Sequence, residues 1–149
     1  MLFRSFFCYI APNAPHDPLD CPPGSDTPYL AALEAAGVAN PEQRAKIAKF
    51  YGMIENVDTN LGRLLQKLDE WGLADDTLVV FTTDNGTATG APVFNDGMRG
   101  TKVTPYRGGT RVPSFWRWTG VLPAGVDVPA VTAHIDVLPT LCELAGVDI

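Results

Sequence analysis

The chain has 149 residues, 46% of them hydrophobic, which fits one globular domain and argues against disorder. Its 17 acidic and 11 basic residues give a net charge of -6, so the broad basic footprint of a nucleic-acid binder is absent. A small anionic substrate is still compatible, because such a site needs only a few local cations.

Met1 to Ala11, "MLFRSFFCYIA", has one early arginine, Arg4, and a short apolar run like that of a signal peptide. A Pro-rich polar stretch follows at once, so Phe6 to Ala11 reads as a buried strand. No run approaches the roughly 18 apolar residues of a membrane span. Residues 11–28 hold Pro12, Pro15, Pro18, Pro22, Pro23 and Pro28, a density that excludes helix and central strand. Long loops in compact domains often carry function, and this one contains His16. The three cysteines, Cys8, Cys21 and Cys142, show no framework or metal-clip spacing.

Tyr29 to Ala36 reads as a short helix ending at Gly37. A longer helix starts at Asn40-Pro41, with Asn as N-cap, Pro at the first position and Gln43 in a capping-box-like spacing. Its expected apolar stripe is Ile54, Val57, Leu61, Leu64, Leu68 and Trp71, in steps of three and four. Gly72 supplies the stop, and a stripe that wide calls for a sheet to cover it.

Thr77 to Thr83, "TLVVFTT", is apolar without alternation, as in a parallel strand buried on both faces. With the preceding helix it reads as an α/β unit with a right-handed crossover. Asp84-Asn85-Gly86 follows. Asn-Gly between apolar runs is a strong hairpin signal. The same residues past the carboxyl end of a strand would offer hard oxygens to a cation. The residues alone leave both readings open.

Residues 86–110 contain six glycines, which allow backbone to approach a ligand closely. Arg99, Lys102, Arg107 and Arg111 crowd this region, as a solvated basic loop or as an oxyanion site. Val112 to Trp118 reads as another strand, with Pro113 near its start. Asp136 to Ala145 reads as a closing helix with Asp136 as N-cap and Gly146 past its end. His134 has no metal-ligand partner at helical spacing and reads as structural.

Four blocks resemble one family in its own order: "FFCYIAPNAPHDP" (6–18), "YGMIENVDTNLGRLLQKLDEWGLADDTLVVFTTDNG" (51–86), "GTKVTPYRGGTRVP" (100–113) and "HIDVLPTLCELAG" (134–146). They look like successive segments of the type I, arylsulfatase-like sulfatases of the alkaline phosphatase superfamily. The resemblance spans nearly the whole chain and implies that residues 1–149 are a partial sulfatase catalytic domain, its middle to latter part. The implied fold is α/β, alkaline phosphatase-like and incomplete, with a mostly parallel or mixed sheet flanked by helices. Loss of the first strands would leave sheet edge and apolar surface open to self-association.

The resemblance implies a calcium-dependent hydrolase of sulfate esters, on a small molecule or a glycan, in a periplasmic or secreted setting. It makes Asp84 and Asn85 calcium ligands and His16 a sulfate contact that protonates the leaving oxygen. Lys102 becomes a holder of a sulfate oxygen. These roles suit the side chains. Calcium prefers carboxylate and amide oxygens. Histidine titrates near neutral pH, and lysine is a compact point charge.

The family's nucleophile is a formylglycine made within C/S-x-P-S/A-x-R. Cys21-Pro22-Pro23-Gly24-Ser25-Asp26 matches only its first half, with Gly24 and Asp26 where Ser or Ala and Arg belong. It also follows the histidine loop instead of preceding it, so Cys21 is not read as the nucleophile. Arg107 departs too, since many members carry an acidic residue before the Gly-Gly pair. Other readings are a phosphodiesterase or phosphonate hydrolase of the same superfamily, or a non-catalytic binding fragment.

Overall fold

The computed structural model describes residues 5–148; the start of the signal-like stretch, Arg4 included, and Ile149 lie outside the described residues. Helix α1 covers Thr27–Ala35 and helix α2 covers Pro41–Glu70. After a 3-10 turn at Ala74–Asp76 comes strand β1, Val79–Thr82. A long excursion containing the short helix α3, Arg107–Thr110, leads to strand β2, Ser114–Arg117. A second 3-10 turn, His134–Asp136, runs into helix α4, Val137–Ala145.

Local signals set the ends of α2. The Asn40 side-chain oxygen accepts from the backbone N–H groups of Glu42 and Gln43 at 2.9 and 3.0 Å. Two of the N–H groups that a helix start leaves unpaired are thereby satisfied. Gly72 leaves the helix at φ +67°, a conformation that costs glycine nothing. Asn40→Ala is expected to lower stability by about 1 kcal/mol, read in a urea melt; an unchanged midpoint would mean that the cap contributes nothing.

The buried face of α2 is made by Ile47, Ala48, Phe50, Gly52, Met53 and Leu68. Leu33 of α1 joins Ile47 and Ala48 in the core, with Tyr29, Leu30, Val38, Tyr51 and Val93 packed around them. At Gly52 the helix meets the loop backbone, since a Cβ there would lie 3.0 Å from the Ser25 carbonyl oxygen. Tyr29 donates to Glu55 at 3.3 Å; burial first, then the Glu55 carboxylate, pushes its phenol pKa up. The expected stripe is met only in part. Leu68 is buried and Val57, Leu61 and Leu64 half-buried, but Ile54 is 40% and Trp71 65% exposed.

Two strand expectations are corrected. β1 is not a parallel strand buried on both faces: it pairs antiparallel with β2, Val79 opposite Arg117 and Thr82 opposite Ser114, and is half-buried. An apolar run reports cover and β propensity, not strand direction. Among the described residues the sheet has these two strands alone, so the mostly parallel or mixed sheet and its crossover are not seen. Phe6 to Ala11 is neither strand nor buried, and Phe7 and Tyr9 are about four-fifths exposed. Its β-forming side chains have no neighbouring strand to complete a ladder.

β2 is tied back to α2 by Arg117–Asp69 at 3.7 Å, and Trp118 Nε1 donates to the Asp75 carbonyl at 2.9 Å. α4 ends at Gly146, φ +67°, as expected. Asp136 does not cap α4 with its side chain; its carboxylate turns back and accepts from the Ala133 N–H at 2.7 Å. No helix among the described residues is long and apolar enough to cross a membrane. The three cysteines are free thiols, Cys8 exposed and the others half-buried.

Candidate active site

β1 ends at Thr82, and Asp84-Asn85 follows after the single residue Thr83. It is not a tight hairpin, because the chain returns to pair with β1 only at Ser114. Asp84 is exposed and Asn85 half-buried. One Asp84 carboxylate oxygen accepts from the Asn85 backbone N–H at 2.9 Å, and the other accepts from the Asn85 side-chain amide. The pair is pre-gathered, with its oxygen-bearing groups side by side.

Three contacts hold the segment. His134 Nε2 lies 2.7 Å from the Thr83 carbonyl oxygen, which makes Nε2 the protonated nitrogen. Gly86 N–H donates to the Gly109 carbonyl at 3.0 Å. The Lys102 N–H donates to the Thr87 carbonyl at 3.2 Å. Asp84, Asn85 and Lys102 therefore belong to one loop cluster. Gly86 and Gly108 do approach backbone closely, but the backbone is their own loop's: a Cβ on Gly86 would lie 1.9 Å from Gly108 O, and one on Gly108 would lie 2.0 Å from Gly100 O.

Asn95 braces the loop by donating to the carbonyls of Met98 and Gly100, both at 2.8 Å. Val93 packs on the α1–α2 core, and Gly90 sits under the Phe50 ring. Lys102 is half-buried. The next residue, Val103, is held at φ +73°, where a β-branched side chain is strained. The turn from Thr101 to Thr104 closes around it through Thr104 N–H to Thr101 O and Thr101 N–H to Thr104 Oγ1.

His16 lies apart in chain and contact. It is exposed, its backbone N–H donates to Asn13 O at 2.8 Å, and its Nδ1 lies 2.9 Å from its neighbour's carbonyl, Asp17 O. The carbonyl makes Nδ1 the protonated nitrogen and leaves the Nε2 lone pair outward. Lys46 of α2 reaches Asp17 at 4.0 Å. His16 has no hydrogen bond or ion pair with Asp84, Asn85 or Lys102.

As a calcium site the donor set fits in kind, one carboxylate and one amide oxygen, but not in number. Calcium takes roughly six to eight oxygens, and among the described residues no three His, Cys, Asp or Glu side chains gather as a metal-binding group. His134, read as structural, is a backbone brace in the structure. Its partner is 51 positions away, a separation that no local spacing reveals.

The family model described as Sulfatase matches residues 3–147. The chain belongs to the sulfatase family. This sulfatase chain is 37% identical over 141 residues to the steryl-sulfatase of Rattus norvegicus, an alignment that covers 83% of it and 24% of the relative. With arylsulfatase A of Homo sapiens it shares 31% over 147 residues, 96% of the chain and 25% of the relative. It thus spans about a quarter of the length of these curated relatives. The crystal structure of Ps i-CgsB superposes with a TM-score of 0.78 at 30% identity, over 95% of this chain and 29% of that one. The complex of Ps i-CgsB with k-i-k-neocarrahexaose gives a TM-score of 0.73 at 29% identity, over 91% and 28%. The sulfatase fragment therefore carries part of an alkaline phosphatase-like fold, as the sequence implied.

Proposed function

We propose that these residues form part of the catalytic domain of a hydrolase acting on sulfate esters. The observation that supports this most is the single loop cluster that gathers Asp84 and Asn85, just past β1, with Lys102. The relatives' names, steryl-sulfatase and arylsulfatase A, point to sulfate-ester chemistry. The neocarrahexaose bound to Ps i-CgsB supports a sulfated glycan as one class of substrate.

In this reading Asp84 and Asn85 hold two positions around a calcium ion, and other groups complete its shell. Calcium bound there supplies positive charge against the sulfate oxygens. Lys102, without an ion partner within 4 Å among the described residues, takes one sulfate oxygen as a point charge. His16 supplies a proton to the departing ester oxygen; its Nε2, protonated from solvent water, is the atom that donates it. The formylglycine that the family resemblance implies has no counterpart in this sequence, so no attack step is assigned to these residues.

The test is a nuclear magnetic resonance titration of the 149-residue chain with calcium chloride and, separately, with sodium sulfate. Calcium is expected to shift the amide signals of 84–87 with a dissociation constant on the order of millimolar, because few ligands are present. Sulfate is expected to shift Lys102. Asp84→Ala abolishes the first response and leaves the second. With an aryl sulfate the chain alone is expected to show no turnover, for want of an activated nucleophile. Calcium shifts elsewhere, or none at all, would sink the assignment of Asp84 and Asn85.

A further inference from the structure

The cations of the loop divide into two sets. Arg111 pairs with Asp96 at 3.7 Å. Arg99 lies on Tyr106, its guanidinium carbon 3.7 Å from the ring centroid, and donates to the phenol oxygen at 2.7 Å. These two are held by the loop itself. The side chains of Lys102 and Arg107 make no hydrogen bond or ion pair among the described residues, and Arg107 is exposed. In a chain of net charge -6, a cation with no internal partner is available to an external anion.

Position makes Arg107 more than a stray surface charge. Gly86 and Gly108 are pressed together, with space for no Cβ between Gly86 and the Gly108 carbonyl. Asn85 and Arg107 are the residues immediately before those two glycines. Lys102 is bonded to Thr87, the residue just after Gly86. Gly108 N–H also donates to the Arg99 carbonyl at 2.8 Å. The proposed sulfate and calcium residues thus share one rigid backbone junction with an unpaired guanidinium. The support under it is firm: Gly108 and Gly109 are buried, and the Arg107 carbonyl accepts from Arg111 N–H at 2.8 Å.

We infer that Arg107 recognises a second anionic group on the substrate, a sulfate or carboxylate other than the one Lys102 takes. This rests on the sulfate-ester reading above. The planar guanidinium presents two parallel N–H donors, which match two oxygens of a sulfate or carboxylate. The substrate class that follows is a glycan with several acidic groups, in preference to a sterol or aryl ester with a single sulfate. Attraction of this kind weakens with salt, since the screening length is about 10 Å at 0.1 M.

Isothermal titration of the 149-residue chain at low ionic strength tests this with two probes. One is a galactan hexasaccharide carrying a single sulfate; the other is the same hexasaccharide carrying several. The chain is expected to prefer the second by about tenfold, the factor that corresponds to about 1.4 kcal/mol. Arg107→Ala should bring that ratio close to one and leave the single-sulfate affinity unchanged. Arg107→Lys, which keeps the charge without the fork, should retain part of the preference, and this guards against a folding defect shared by both variants. Lys102→Ala should weaken both probes alike. If Lys102→Ala changes neither affinity while Arg107→Ala removes the preference, the role of Lys102 fails and that of Arg107 stands. A parent chain without preference, or equal losses for both probes in Arg107→Ala, overturns the inference.

Discussion

Gly86→Ala is expected to cost about 1–3 kcal/mol or more and to open the loop cluster behind Asp84 and Asn85. The added Cβ would lie 1.9 Å from the Gly108 carbonyl oxygen, 2.9 Å from its carbon and 3.1 Å from Gly109 Cα. All three are backbone atoms, so no flexible side chain can swing aside. Relief requires the two segments to part, which breaks Gly86 N–H to Gly109 O. Gly62→Ala makes the contrast: Gly62 lies inside α2 with nothing within 4 Å of its added Cβ. There alanine should stabilise by about 0.5–1 kcal/mol, because it lowers the entropy lost on helix formation. Urea melts give the two signs, and amide exchange at Gly86 locates the damage. If Gly86→Ala melts like the parent, the close packing of the two segments is wrong. If it melts early with the amide at position 86 still protected, the strain is spread elsewhere.

What could be read in the chain divides by distance along it. The α2 start was legible because Asn40, Pro41 and Gln43 act within one turn. The stop at Gly72 and the left-handed Gly146 after α4 are equally local. Strand direction was not legible. "TLVVFTT" marks a chain segment suited to a sheet, but its partner is set by residues 114–117, beyond a 31-residue excursion. Phe6 to Ala11 shows the same limit from the other side. Its side chains favour a strand, yet a strand exists only when a neighbour pairs with it.

The candidate site follows the same rule. Asp84 and Asn85 stand out as candidates because their place after a strand is a local fact. That Lys102 joins them depends on one backbone hydrogen bond to Thr87, and that His134 braces Thr83 depends on a contact across the chain. Neither leaves a trace in spacing. The glycines of 86–110 allow close approach, but at Gly86 and Gly108 what is approached is the backbone of another glycine of the same loop, and Gly90 meets the Phe50 ring. Only the family resemblance pointed to His16, Lys102 and the Asp-Asn pair together.

Ile47→Ala is expected to destabilise the chain by about 2–5 kcal/mol, a large part of the roughly 5–15 kcal/mol that holds a small domain. Ile47 is 1% exposed and sits between Leu33 and Ala48 in the core. Truncation removes apolar area and leaves a cavity that two helices cannot close without shifting. Ile54, the first residue of the stripe read from the sequence, is 40% exposed, and Ile54→Ala should cost about 1 kcal/mol or less. The expected stripe sets the face too far along the helix, because α1 and the loop at Ser25 cover the first half of α2. Urea denaturation of both variants, with unchanged slopes, decides which face is inside. Equal losses would mean that α2 is rotated. The core also reaches the site: Val93 packs on the Leu33–Ile47–Ala48 cluster and its N–H donates to Gly90 O at 3.0 Å. In Ile47→Ala the Val93 amide should therefore exchange faster, with the amides of 86–102 following. If those amides stay as protected as in the parent, the loop that carries Lys102 is held from its own side alone, and the helical core does not position the site.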